Sequence, residues 1–168
     1  MIYLYTGTGA GKTTSALGLA LRSLGQGHRV YIAQFMKYWK NTGEYKFKNK
    51  NYKIIQLGRK GWKGKKNLTL EDKEISRAGL EFVIKDAEEF KTDLLILDES
   101  VLAVAWNLLD EDYFINKIKN YQKKHPKTDI VLTGRYASKK LISIADYVNE
   151  IKALKMPKKM IAKKGINY

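Results

Sequence analysis

The chain has 168 residues, with 32 Lys and Arg against 17 Asp and Glu, a net charge of +15, and no cysteine. That length suits one domain with a single sizeable core. The absence of cysteine excludes disulfides and thiolate metal sites and fits a cytoplasmic protein. No apolar run approaches the roughly 18 residues of a membrane span, and the first strand begins directly after Met1, leaving no room for a signal peptide. The positive charge attracts polyanions. However, only five of the 32 cations are Arg (22, 29, 59, 77 and 135), and nucleic-acid recognition favours the planar Arg fork. The lysine excess therefore reads as a solvated surface that also helps capture an anionic small substrate, with nucleic acid an unlikely partner.

In chain order, Ile2 to Tyr5 read as a short buried strand, and Thr6 to Gly11 form a glycine-dense loop. A helix follows from Thr13 to Leu24, with Ala16, Leu17, Leu19, Ala20, Leu21 and Leu24 on a wide apolar stripe, and Gly25 and Gly27 stop it. Arg29 to Phe35 shows little alternation, as expected for a strand buried on both faces, and completes a βαβ unit. Met36 to Lys50 is polar and reads as a surface connection, and Tyr52 to Leu57 as a third strand. Gly58 to Asn67, rich in glycine and lysine around Trp62, reads as a mobile loop facing a substrate. Thr69 and Asp72 form a capping-box pattern for a helix to about Phe90.

Asp93 to Asp98 is an apolar strand ending in Asp98-Glu99, and Val101 to Asn107 is a short apolar segment. A helix from about Asp110 to Lys124 stops before Pro126. Asp129 to Thr133 is a further buried strand, leading into Gly134-Arg135, and Lys139 to Ala145 is helical. Tyr147 to Ile151 is a last strand, and residues 152–168 form a basic tail. His28 and His125 lie at polar loop positions and are expected to be inert. The succession predicts an α/β fold, a mostly parallel sheet flanked by helices in one domain spanning 1–168. In such sheets ligands bind beyond the carboxyl ends of the strands, where Thr6 to Thr13, Gln34, Asp98-Glu99 and Gly134-Arg135 all fall.

The chemistry is concentrated in Thr6-Gly7-Thr8-Gly9-Ala10-Gly11-Lys12-Thr13-Thr14. A strand feeding a glycine-rich loop feeding a helix is the geometry of a phosphate cradle. Backbone N–H groups turn inward, the helix N-terminus adds positive dipole, Lys12 adds a full charge, and the Thr13 hydroxyl can bind Mg²⁺. Thr6 stands where the usual pattern has its first glycine. Asp98-Glu99, closing an apolar strand, supplies carboxylates for the same metal, Mg²⁺ or Mn²⁺, with either of the two facing it. Arg135 beside Gly134 is a candidate phosphate contact. Gln34 and Lys37 follow the second strand within reach of phosphate or substrate. Trp62 is a candidate cover for a flat apolar ligand.

The ordered set resembles the P-loop type of ATP:corrinoid adenosyltransferase. The matching pieces are Tyr-Thr-Gly-Thr-Gly-Ala-Gly-Lys-Thr-Thr, Ala-Leu-Gly-Leu-Ala-Leu-Arg with Gly-Gln-Gly after it, Gln-Phe-Met-Lys, Leu-Ile-Leu-Asp-Glu, Val-Leu-Thr-Gly-Arg, Ile-Ala-Asp-Tyr-Val-Asn-Glu-Ile and the closing Gly-Ile-Asn-Tyr. The resemblance implies a recombinase-like P-loop fold and a reaction in which a Co(I) corrinoid attacks the 5′ carbon of ATP and tripolyphosphate leaves. It implies residues 6–14 and Arg135 at ATP, Lys12, Thr13, Asp98 and Glu99 as the catalytic and metal set, and Trp62, Gln34 and Lys37 on the corrinoid side. It also implies a homodimer and an electron-donor protein as a partner. That family typically has Phe-x-Trp in the corrinoid-facing loop; here Trp62 matches and Lys60 stands at the Phe position. The residues also admit two other functions. One is a P-loop kinase for a nucleoside or other small molecule, with Asp98 or Glu99 as base. The other is a nucleotide-dependent nucleic-acid binder.

Overall fold

The computed structural model describes residues 1–61, 64–159 and 161–167. Six strands form one sheet in the order β3-β2-β4-β5-β1-β6, and every neighbouring pair is parallel. The strands are β1 (Ile2–Thr6), β2 (Val30–Phe35), β3 (Tyr52–Leu57), β4 (Leu94–Asp98), β5 (Asp129–Thr133) and β6 (Tyr147–Glu150). The helices are α1 (Lys12–Gly25), α2 (Gly43–Lys46), α3 (Leu70–Glu89), α4 (Ser100–Ala105), α5 (Glu111–Lys124) and α6 (Lys139–Ile144). The expected α/β fold is present, consistent with a P-loop nucleotide-binding architecture, and the sheet is wholly rather than mostly parallel.

Parallel sheets need both faces covered, so their central strands are apolar throughout. β2 and β4 are buried at every position. Their alternate side chains feed two separate cores. Val30, Ile32, Leu94, Ile96 and Val131 pack with Ala16 and Ala20 of α1 on one face. Tyr31, Ala33, Phe35, Leu95, Leu97, Ile130 and Leu132 pack on the other face with Leu80, Val83, Val101, Phe114, Ile118 and Leu141, from α3, α4, α5 and α6. The small residues Ala16 and Ala20 let α1 lie close over the middle of the sheet. This places its N-terminus at the carboxyl edge, between β1 and β4.

Two segments differ from the sequence reading. Val101 to Asn107, without enough length to show a period, forms helix α4, which starts straight after β4 at Glu99, a residue in the left-handed region (φ 59°). The polar connection after β2 contains the single turn α2. The capping box of α3 is formed: Thr69 N donates to Asp72 Oδ2 at 2.9 Å. Arg59 joins it, donating to both oxygens of Asp72 at 2.9 and 2.7 Å, and this pairing holds the Asp72 carboxyl down at about 2. The start of the Gly58–Asn67 loop is thus fixed to α3, and Lys65–Asn67 form a 3₁₀ turn. Trp62, singled out from the sequence, lies outside the described residues. Among the described residues no helix is long and apolar enough to cross a membrane.

Candidate active site

Because all strands run the same way, their carboxyl ends share one edge, and register decides which side chains meet there. Gln34 of β2 lies opposite Asp98 of β4, and Tyr5 of β1 opposite Thr133 of β5. The Asp98 carboxylate, 1% exposed, is the centre of the result. Its Oδ1 accepts from the Thr13 hydroxyl at 2.9 Å and the Thr133 hydroxyl at 2.7 Å, and its Oδ2 from the Gln34 amide at 3.1 Å and the Lys37 ammonium at 2.6 Å. A carboxylate has about four lone-pair directions, and all are used. Burial of the charge is tolerated because each oxygen is doubly hydrogen-bonded and one donor is itself charged.

Gln34 and Lys37, which the resemblance implies on the corrinoid side, both turn their side chains inward onto Asp98. Gln34 is fully buried, and its amide also donates to Glu44 at 3.3 Å and accepts from Gln56 at 2.9 Å. Lys37 is turned inward by Met36, whose left-handed backbone (φ 58°) redirects the chain as it leaves β2. Thr133 was missed in the sequence. The available signal was a hydroxyl closing an apolar strand at the carboxyl edge. It links the two acidic residues, since it donates to Asp98 and accepts from the Glu99 backbone N–H at 2.9 Å.

Glu99 is placed differently from Asp98. Its Oε2 is buried and has no hydrogen-bond partner. Burial, and then the adjacent Asp98 charge, pushes its carboxyl above the ordinary range, against the pull of Lys37, Lys12 and Arg135.

The glycine-rich loop carries its own cations. The Lys12 ammonium donates to the carbonyls of Gly7 at 2.9 Å and Gly9 at 2.6 Å, and Arg135 donates to the carbonyl of Thr8 at 2.7 Å. Burial, followed by the Arg135 charge, lowers the Lys12 amine, with Glu99 and Asp98 opposing. Thr14 caps back onto the Gly11 carbonyl at 3.0 Å. Residues 6–14, Lys12, Thr13, Arg135, Asp98 and Glu99 therefore converge on one edge.

One wall of the site has no counterpart in the sequence reading. The chain leaving β6 runs across the loop. Ile151 N donates to the Thr6 carbonyl at 2.8 Å, and Gly9 N to the Ile151 carbonyl at 2.8 Å. A Cβ on Gly7 would sit 2.5 Å from the Ile151 carbonyl oxygen, and one on Gly9 2.9 Å from Ala153 N. Both glycines are thus required by a strap of main chain, residues 151–153, as well as by any phosphate.

A divalent cation would find the Thr13 hydroxyl and Asp98 side by side, with the unpartnered Glu99 Oε2 a further oxygen nearby. This hard-oxygen set fits Mg²⁺ or Mn²⁺, which take one or two protein ligands and complete their shell with phosphate and water.

Comparison with known proteins agrees with this arrangement. The family model described as ATP:corrinoid adenosyltransferase BtuR/CobO/CobP matches residues 1–168. A corrinoid adenosyltransferase of Escherichia coli strain K12 is 28% identical over 155 residues, covering 92% of this chain and 78% of that protein. One from Pseudomonas aeruginosa is 29% identical over 179 residues, covering 100% of this chain and 83% of that protein. The corrinoid adenosyltransferase CobA of Salmonella typhimurium is 28% identical over 174 residues, covering 100% and 85%.

Two outcomes follow from the geometry. Gly9→Ala is expected to lift the strap, lowering stability by about 1–3 kcal/mol and speeding tryptic cleavage after Lys152 and Lys155; unchanged melting and cleavage would contradict the strap. Glu99→Gln removes a carboxyl that resists ionising in the fold. It is expected to raise stability at neutral pH. The gain should grow as pH rises from the ordinary glutamate range through the raised folded value and vanish below that range, as read from denaturant midpoints against pH. With strand order, phosphate loop, acidic pair and whole-length match all in agreement, the chain belongs to the ATP:corrinoid adenosyltransferase BtuR/CobO/CobP family.

Proposed function

We infer that this chain transfers the 5′-deoxyadenosyl group of ATP to the cobalt of a Co(I) corrinoid. The observation that carries the reading is the junction of the phosphate loop with the Asp98 network, in a chain matched over its whole length by the family. The Co(I) electron pair attacks the 5′ carbon of ATP, the bond from that carbon to oxygen breaks, and tripolyphosphate leaves with the electron pair as cobalt is oxidised to Co(III). The nucleophile carries no proton, so no general base is called for. The protein's tasks are to hold the two reactants in line and to stabilise the charge gathering on the departing triphosphate.

The loop's backbone N–H groups and the Lys12 ammonium suit the second task. Lys12 begins on the Gly7 and Gly9 carbonyls and transfers to a phosphate oxygen, and its burial strengthens that contact. Arg135 reaches the same loop from β5 and serves the same anion. Thr13 and Asp98 would hold Mg²⁺ or Mn²⁺, with Glu99 contributing an oxygen through water; the ion supplies further positive charge to the leaving group. The lysine-rich surface draws in both anionic reactants.

A kinase reading is less well supported. It needs a base to take a proton from an acceptor hydroxyl; Asp98 is fully engaged by Thr13, Thr133, Gln34 and Lys37, which leaves Glu99 alone for that role, and the whole-length family match favours the transferase.

Lys12→Ala is expected to lower kcat/KM for adenosylation by at least ~100-fold, about 2.7 kcal/mol, followed as loss of the Co(I) absorption band. In the wild type, phosphorus NMR of the spent reaction should show tripolyphosphate. Near-normal transfer by Lys12→Ala, or ADP as the phosphorus product, would contradict the reading.

A further inference from the structure

Asp98 is expected to meet a divalent cation, yet its four acceptor directions are already taken. One donor must therefore leave when the ion arrives. Three are fixed. Thr13 is built into the start of α1, and the side chains of Thr133 and Gln34 are fully buried at the ends of β5 and β2. Gln34 is further tied to Glu44 and Gln56. The fourth is Lys37, on a long flexible stem with a side chain 30% exposed, just past the end of β2. Its ammonium lies 2.6 Å from Asp98 Oδ2 and 3.5 Å from Thr13 Oγ1, so it bridges the same two groups that suit the metal. The oxygen left unpartnered nearby, Glu99 Oε2, is a ready acceptor for a cation and its water shell.

We propose that Lys37 is an internal stand-in for the divalent cation: its ammonium holds the Thr13–Asp98 pair in place until the metal arrives, and metal binding expels it. The inference rests on the reading of Thr13 and Asp98 as the metal site. Lys37 is a positioning residue here, acting through Asp98. Two consequences are specific to this role. Metal affinity in the wild type is weakened by the work of displacing a bound ammonium. Without Lys37, the buried carboxylate lacks its counter-charge, so the protein depends on metal for stability. A lysine that merely packed, or one that helped hold the metal-bound state, would have neither effect.

The test is Mn²⁺ binding to the whole chain without nucleotide, read from the electron paramagnetic resonance signal of free Mn²⁺. Lys37→Met is expected to bind Mn²⁺ at least ~10-fold more tightly than wild type, and its melting temperature should rise with added Mn²⁺ far more than the wild type's. The double variant Lys37→Met with Asp98→Asn should lose both gains. Equal or weaker Mn²⁺ binding by Lys37→Met, with binding still lost on Asp98→Asn, would overturn the role of Lys37 while leaving the site intact. Binding indifferent to Asp98→Asn in either background would overturn the site assignment itself. Should Lys37→Met not fold without metal, refolding it in Mn²⁺ distinguishes the cases: recovery supports the proposal, and failure at saturating Mn²⁺ overturns it. In the wild type, the Lys37 Nζ resonance in nitrogen-15 NMR should shift on adding Mg²⁺, and an unmoved resonance at saturating Mg²⁺ contradicts expulsion.

Discussion

A single buried carboxylate organises the functional edge of this molecule. Asp98 ends the central strand β4, and its donors come from four places in the chain: α1, β2, the turn after β2, and β5. Leaving such a charge unpaired in the interior would cost several kcal/mol, so the four segments are held in mutual position by a shared electrostatic requirement. The phosphate loop gains from this directly. Thr13, the second residue of α1, is tied to Asp98, which fixes the N-terminus of that helix and the loop leading to it.

The loop is held on its other side by main chain alone. Ile151 and Gly9 bond through their backbone groups, and Gly7 and Gly9 leave the space the strap occupies. On the proposed reading, a nucleotide enters a loop whose carbonyls already hold Lys12 and Arg135 and whose Gly9 N–H is already committed. Lys12, Arg135 and, at Asp98, Lys37 are resident cations neutralising oxygen atoms that would otherwise face one another. The same charges are suited to a triphosphate, so ligand binding exchanges partners and creates little new charge. Glu99 is the exception, a carboxyl with an unpartnered oxygen and a raised tendency to stay protonated. Such a group costs stability, and carboxyls perturbed in this way cluster at functional sites.

The fold was legible to the extent that hydrophobic periodicity and turn residues determine it. The alternation of apolar strands with amphipathic helices, the capping box at Thr69 and Asp72 and the stop at Pro126 all leave local marks. The lateral order of the strands leaves none, because parallel neighbours are joined by crossovers and need not be adjacent in the chain. Helix α4 escaped because six residues, all apolar but Ser100, are too few to show a period. At the site, the glycine loop and Asp98-Glu99 were readable from spacing and from their place at strand ends. The direction of Lys37 was not, since it follows from a left-handed Met36, a conformation that residue type does not announce. Nor was the strap at Ile151–Ala153, built from backbone atoms that any sequence supplies.

The most direct measurement of the central claim is a crystal structure of the chain with Mg²⁺ and tripolyphosphate, the expected leaving group. The account predicts the polyanion along the Gly7–Thr14 loop, Lys12 moved from the Gly7 and Gly9 carbonyls onto phosphate oxygen, and the metal beside Thr13 and Asp98. Tripolyphosphate bound elsewhere on the lysine-rich surface, with Lys12 still on those two carbonyls, would contradict it.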